Sequence, residues 1–312
     1  MTVPMTERLR GIHAATIVPM TEDFRLAEDA LAAHIAAVSR TPGIRGLLVN
    51  GHAGENYVLD LDEKRRVVEI ARAVAPAECL ICAGINAESS LAAAREAAVA
   101  EAAGADILLV FPPNSWALGH DPDCAEIHHR HVLDATGLPL LLYGAPVGAG
   151  AMAYDRATLA RLVAEPRIIG IKEGSWEVAA YEANRRHLLA LWPDFAVLGS
   201  GDEHLLTSAI IGSHGSQVSL AALAPELLVA FNACTEAGDW AGARALHERI
   251  YPLSVAIYRD PPGGRATARI KGALHRLGRI PCAAVRPPQP PASAAEGAAL
   301  EAAMRGAGLL LA

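Results

Sequence analysis

The sequence predicts an α/β protein, a (β/α)8 TIM barrel followed by a small C-terminal helical domain. Three observations predict it. Short apolar, β-branched runs alternate with amphipathic Ala/Leu/Arg windows eight times between Gly11 and residue 237, the pattern of parallel strands joined by crossover helices. No Gly-x-Gly-x-x-Gly follows the first run, so an open dinucleotide-binding sheet loses its main support. Beyond Gly238 only helical periodicity remains. The boundaries drawn are a catalytic barrel over 1–237 and a helical segment over 238–312.

Taken in order, the expected strands are 12–18, 44–49, 80–83, 107–111, 139–143, 168–172, 196–199 and 216–220. The expected helices are 26–40, 61–75, 88–103, 121–136, 155–164, 177–191, 203–211 and 225–237. Asp60 with Glu63 three positions on makes a capping-box pattern, and Asp155 stands as an N-cap. Two helices, 240–258 and 266–277, follow the barrel. The run Arg286-Pro287-Pro288-Gln289-Pro290-Pro291 reads as a stiff extended spacer leading to a last helix over 294–306.

Composition narrows the function classes. With 52% hydrophobic residues in 312, the chain can bury a full core. A net charge of −7 argues against nucleic-acid or anionic-membrane partners. The longest basic run, Lys64-Arg65-Arg66, follows Asp62-Glu63 and reads as a solvated helix face. The N-terminus has no apolar h-region and no long uninterrupted apolar stretch follows, so a soluble cytoplasmic protein is expected. Five scattered cysteines make no disulfide framework, and Cys79 and Cys82 project to opposite faces of a strand. His128, His129 and His131 lack the i, i+4 spacing of a zinc helix and read as a solvated face, so no metal is expected.

The stretch that carries chemistry is Arg167-Ile168-Ile169-Gly170-Ile171-Lys172-Glu173-Gly174-Ser175, a strand buried on both faces that ends in a lysine. Desolvation lowers the pKa of such an amine and favours its neutral, nucleophilic form, which is how a Schiff-base lysine is made. Arginine takes nearly every other basic position, since Lys64 and Lys271 are the only further lysines. The plainer alternative is a lysine that snorkels from the strand end toward Glu173.

In a barrel of this kind, reactive groups lie at the carboxyl ends of the strands. Strand 2 ends in Asn50-Gly51-His52-Ala53-Gly54-Glu55, whose backbone amides either hold a carboxylate or serve only a tight turn. Strand 5 ends in Tyr143, about 5 Å in strand spacing from Lys172 and within reach for proton transfer. Glu173, next in the strand, points away from the amine's face. Gly199-Ser200-Gly201 is not a nucleophile elbow, so a serine hydrolase has little support.

The chain resembles the dihydrodipicolinate synthase and N-acetylneuraminate lyase family over roughly residues 11–280. The motifs are Gly51-His52-Ala53-Gly54-Glu55, Leu142-Tyr143-Gly144-Ala145-Pro146, Gly170-Ile171-Lys172-Glu173 and Gly199-Ser200-Gly201-Asp202, in that order. The resemblance implies a class I lyase of pyruvate or a related 2-oxo acid with an aldehyde-like acceptor. It would work through a lysine imine with no metal or other cofactor, as a homo-oligomer, tetramer or dimer. It assigns Lys172 to the Schiff base and Tyr143 to proton transfer. The carboxylate site falls at Gly51, His52 and Ala53, and Gln217 near a residue that closes the pocket.

Departures from the family pattern refine this. His52 and Ala53 replace two hydroxyl residues, so His52 is the candidate for the missing proton path. Gly148 occupies the position of the arginine that grips the second substrate in the synthases, and Asn114 that of a tyrosine from a neighbouring subunit. An aldolase or dehydratase with another acceptor therefore fits better than dihydrodipicolinate synthesis proper. Two rivals remain, a non-catalytic 2-oxo-acid-binding relative and a metal-dependent aldolase. Trp116, Ala149 and the residues after strand 8 are expected to shape the distal pocket.

Overall fold

The alternation of apolar strands with half-apolar helices has one closed solution among the described residues. The strands are β1 (Gly11–Ala15), β2 (Ile44–Val49), β3 (Leu80–Ile85), β4 (Ile107–Val110), β5 (Leu140–Gly144), β6 (Ile168–Glu173), β7 (Ala196–Gly199) and β8 (Gly215–Val218). They pair in parallel and in sequence order, and β8 returns to β1. The computed structural model describes residues 3–199 and 201–310.

Helices α1 (Glu28–Ser39), α2 (Leu61–Val74), α3 (Ser90–Ala102), α4 (Cys124–Asp134), α5 (Arg156–Leu162), α6 (Val178–Leu191), α7 (Leu205–Ile211) and α8 (Pro225–Glu236) cover the outside of the barrel. The capping box at Asp60 and Glu63 forms, and the Asp155 carboxylate accepts from the Thr158 amide. Period-two alternation divides the apolar residues. Ile12, Leu47, Ile81 and Leu108 face the helices, while Leu48, Leu80, Leu109, Leu141 and Leu198 fill the barrel itself. Leu9, just before β1, joins the inner cluster and closes its floor. No helix among the described residues is long and apolar enough to cross a membrane.

The chain continues into α9 (Trp240–Ser254), α10 (Ala266–Arg276) and α11 (Ala294–Gly306). The expected long helix 240–258 instead changes winding. Pro252 lies inside α9, and Val255–Arg259 follow as a π-helix. A proline removes a backbone donor from the ladder, and π-turns re-aim the side chains beyond them. Here the re-aimed residue is Tyr258, whose hydroxyl meets Ser219 and Asp202 at the barrel mouth.

Two expected solvated faces are partly interior: Arg65 and His131 are exposed, but Lys64, His128 and His129 are not. Lys64 is buried, its Nζ 2.5 Å from Glu96 Oε1 and 3.1 Å from the Asn86 carbonyl, because α2 turns that position toward α3. His128 and His129 are also buried and only His131 of that cluster is exposed. Their rings pack with Trp116 and Tyr154 under the turns that follow β4 and β5. Burial pushes both imidazoles down to about 4, so they act as neutral aromatic filler.

The C-terminal segment is tied to the β2 loop by a buried ion pair. Lys271 of α10 is fully buried and donates to the Glu55 carboxylate and, at 2.9 Å, to the Ala284 carbonyl. The Arg286 amide donates to the other Glu55 oxygen at 2.9 Å, and Thr267 Oγ1 to the His52 carbonyl at 3.2 Å. Removing one member of such a pair strands a buried charge. We predict that Lys271→Ala lowers unfolding stability by about 3–5 kcal/mol. The joint replacement Lys271→Met with Glu55→Gln is expected to recover most of that loss, as measured by urea titration.

Candidate active site

The register of β5 and β6 sets the centre of the site. Tyr143 pairs directly with Lys172, and Tyr143 belongs to the inner cluster, so phenol and amine stand side by side on the barrel's inner face. A cavity of about 630 Å3 opens above them at the carboxyl ends of the strands. Lys172, Tyr143, His52, Ala53, Asp202 and Trp176 are among its lining. Its volume is in the range of small-molecule sites.

Desolvation dominates the electrostatics. It pushes the Lys172 amine down to about 8, against a smaller opposing pull from Asp202. Asp202 is itself buried and pushed up to about 6, a rise that the Leu220 amide at 3.0 Å, Lys172 and the Tyr258 hydroxyl at 3.3 Å oppose. Cys82, below the lysine, is pushed up to about 12 by burial and stays a neutral thiol. Burial and the nearby Glu173 push Tyr143 up to about 12, so it is a proton donor at neutral pH. Its hydroxyl makes no hydrogen bond to another described residue.

Glu173 faces the other way. Its carboxylate accepts from Ser175 Oγ at 2.9 Å and Asn184 Nδ2 at 3.0 Å, which braces the turn after β6. The β2 loop winds into a short 3-10 turn, His52–Gly54, ended by Glu55 with φ of 56°. A non-glycine residue rarely adopts that conformation, and the Lys271 and Arg286 contacts hold Glu55 there. The close approach behind the loop also requires Gly84, where a Cβ would stand 2.1 Å from the Asn50 carbonyl oxygen.

The backbone amides of His52 and Ala53 have no partner among the described residues, which leaves two donors at the cavity wall. The His52 ring packs against Phe111 at 4.4 Å and edge-on to Tyr143 at 5.2 Å. It makes no hydrogen bond to the phenol. Although much of its surface is open, that surface faces the cavity, and desolvation with the Lys172 charge pushes the imidazole down to about 4. Gly51 supplies the turn's carbonyl, bonded by the Gly54 amide at 3.0 Å.

Gln217 stands deeper than expected. It is fully buried in β8, paired in register with His13, and does not line the cavity. Trp116 and Ala149 also do not line it, because Trp116 turns onto His120 and His128. Ser219, after β8, does. Asp202 belongs to a sequence motif that assigns it no role, and no sequence expectation of a site role attaches to Tyr258 or Trp176. The strand-end position of Asp202 was the available signal, whereas Tyr258 arrives from the π-turn, which no local pattern announces. Ser200 lies outside the described residues.

Comparison with known proteins agrees with this geometry. The Dihydrodipicolinate synthetase family matches residues 8–307. A 4-hydroxy-tetrahydrodipicolinate synthase of Nitrobacter hamburgensis is 30% identical over 97% of this chain and 98% of its own length. One from Acidiphilium cryptum is 32% identical over 96% and 99%. A dihydrodipicolinate synthase structure from Agrobacterium tumefaciens superposes with a TM-score of 0.86 at 28% identity, covering 97% of this chain and all (100%) of that one. A prophage protein of the family from E. coli K12, solved in complex with pyruvate, shares the fold at 24% identity, with a TM-score of 0.88 over 96% and 99%.

A buried amine costs stability. With its folded value depressed from 10.5 to about 8, the Lys172 penalty is fully present below pH 8 and disappears as pH rises through 10.5. Lys172→Met is therefore expected to raise stability at pH 7 by about 1–3 kcal/mol, seen as a higher thermal midpoint.

Proposed function

The chain belongs to the dihydrodipicolinate synthetase family, and from that premise we propose that it is a Schiff-base-forming lyase, an aldolase or dehydratase, acting on pyruvate or a related 2-oxo acid. The observation that carries the reading is the Lys172 amine, lowered to about 8, in register with the Tyr143 phenol beneath a cavity.

The neutral Lys172 nitrogen adds to the keto carbon of the 2-oxo acid. Its carboxylate accepts from the His52 and Ala53 amides. Tyr143 gives its proton to the departing hydroxyl, so water leaves and a protonated imine forms. Asp202, mostly ionised at neutral pH, faces that new positive charge. The imine then accepts the electron pair of the bond broken at C3, with no cofactor beyond the substrate's own linkage to Lys172.

Full-length identity of about 30% to named synthases favours dihydrodipicolinate synthesis as the second reading. Against it, Gly148 offers no side chain, and Lys172 is the one cation among the described lining residues. We place a subunit contact at the adjoining turns Asn114–Leu118 and Val147–Met152, where Leu118 is 94% exposed.

Borohydride reduction with pyruvate is expected to leave one adduct on Lys172, with a trapping rate that climbs through about pH 8. No adduct with any 2-oxo acid, or a rise centred at the ordinary lysine value, would refute the reading. Tyr143→Phe is expected to slow turnover by about 10²–10⁴-fold. Asp202→Asn removes an anion that stabilises the ammonium, so the rising limb is expected to move to lower pH.

A further inference from the structure

Resting on the Schiff-base reading above, we propose that the outer half of the cavity is a subsite for a neutral, ring-bearing aldehyde, and that Trp176 sets its length. The first support is charge. Among the described lining residues Lys172 is the one cation and Asp202 the one carboxylate. Once Lys172 is engaged as the imine, an acceptor bearing phosphate or carboxylate finds no partner and meets Asp202 instead.

The walls give the second support. Tyr57, Trp176 and Tyr258 bring aromatic residues to the lining, and Met152 and Ile270 add apolar ones. The Trp176 and Tyr258 rings stand 5.3 Å apart and tilted by 50°, a surface against which a flat ring packs edge or face. At one corner Ser219, the Tyr258 hydroxyl and Asp202 share hydrogen bonds and can accept a ring hydroxyl, and Thr267 and Gln289 add neutral polar groups to the lining.

Trp176 itself is the third. Its backbone lies at φ of 60°, a conformation costly for a bulky residue, just after the Lys172 strand. It is the one described residue that lines both the main cavity and a small void of about 20 Å3 beside Glu173 and Tyr181. The indole is thus the partition between them, and trimming it joins the two spaces.

The step balances without an oxidant. Tyr143, left as a phenolate when water departs, takes a proton from C3 of the protonated imine and so gives the enamine; C3 then bonds to the aldehyde carbon, and the carbonyl π pair goes to oxygen, which takes that proton back from Tyr143. One water then hydrolyses the imine, freeing a 4-aryl-4-hydroxy-2-oxo acid and the amine. Cleavage is the reverse.

The test is pyruvate consumption by the full chain with benzaldehyde and 2-hydroxybenzaldehyde against succinic semialdehyde and glyceraldehyde 3-phosphate. The aromatic aldehydes are expected to lead in kcat/KM by about 100-fold. Trp176→Ala is expected to raise the KM for benzaldehyde about tenfold and to admit naphthaldehyde, which the parent rejects. Trp176→Phe gives the same readout in smaller measure should the alanine variant not fold. A pyruvate adduct on Lys172 with equal or reversed aldehyde preference would overturn this proposal alone. Absence of that adduct would overturn it together with the reading beneath it.

Discussion

The Glu55 carboxylate is the joint on which the site hangs. It fixes a left-handed corner at the end of the β2 loop, and it is the group to which Lys271 and the Arg286 amide both donate. Without those donors a glutamate would have no reason to hold that conformation, and the turn presenting the His52 and Ala53 amides would relax. Burial lowers the Lys271 pKa while Glu55 opposes the shift, which is the signature of a pair whose ionisation depends on staying together. The helices after the barrel are consequently part of the catalytic architecture. They brace the β2 loop through Thr267 and Lys271 and bring Tyr258 to Asp202.

Lys172 and Lys271 are both deeply placed amines, yet they are disposed oppositely. Lys271 has a carboxylate and a carbonyl in hydrogen-bond contact, so its charge is structural. Lys172 has no hydrogen-bond partner among the described residues, and Asp202 acts on it only through space. Desolvation then wins over attraction, and the neutral amine becomes accessible near physiological pH. A direct carboxylate contact at Lys172 would have reversed that outcome and made the residue inert.

How much of this was legible in the chain follows from the range of each signal. The barrel was readable because strand and helix periodicities are local, and each of the eight units repeats them. The Tyr143 and Lys172 pairing was readable because neighbouring strand ends in a parallel barrel are adjacent by construction. The burial of Lys64, His128 and His129 was not, since a charged or imidazole side chain gives the same local pattern whether it meets solvent or Glu96 and Ser90. Tyr258 was illegible for a different reason. Its approach depends on a change of helical winding after Pro252, a tertiary adjustment rather than a propensity.

The polar residues inside the barrel add no charge beneath the amine near neutral pH. His13 and Gln217 face each other across β1 and β8, fully buried, and lack well-formed hydrogen bonds. Each such group costs about 1–3 kcal/mol, so they would be a poor choice for stability alone. What they share is neutrality. Burial pushes His13 down to about 4 and Cys82 up to about 12, and an amide does not titrate. Near neutral pH His13, Cys82 and Gln217 are therefore uncharged beneath Lys172, and Asp202 at the mouth is left as the anion that bears on the amine. A single carboxylate outside a titration-silent interior lets chemistry at the mouth respond to substrate charge without interference from the core below it.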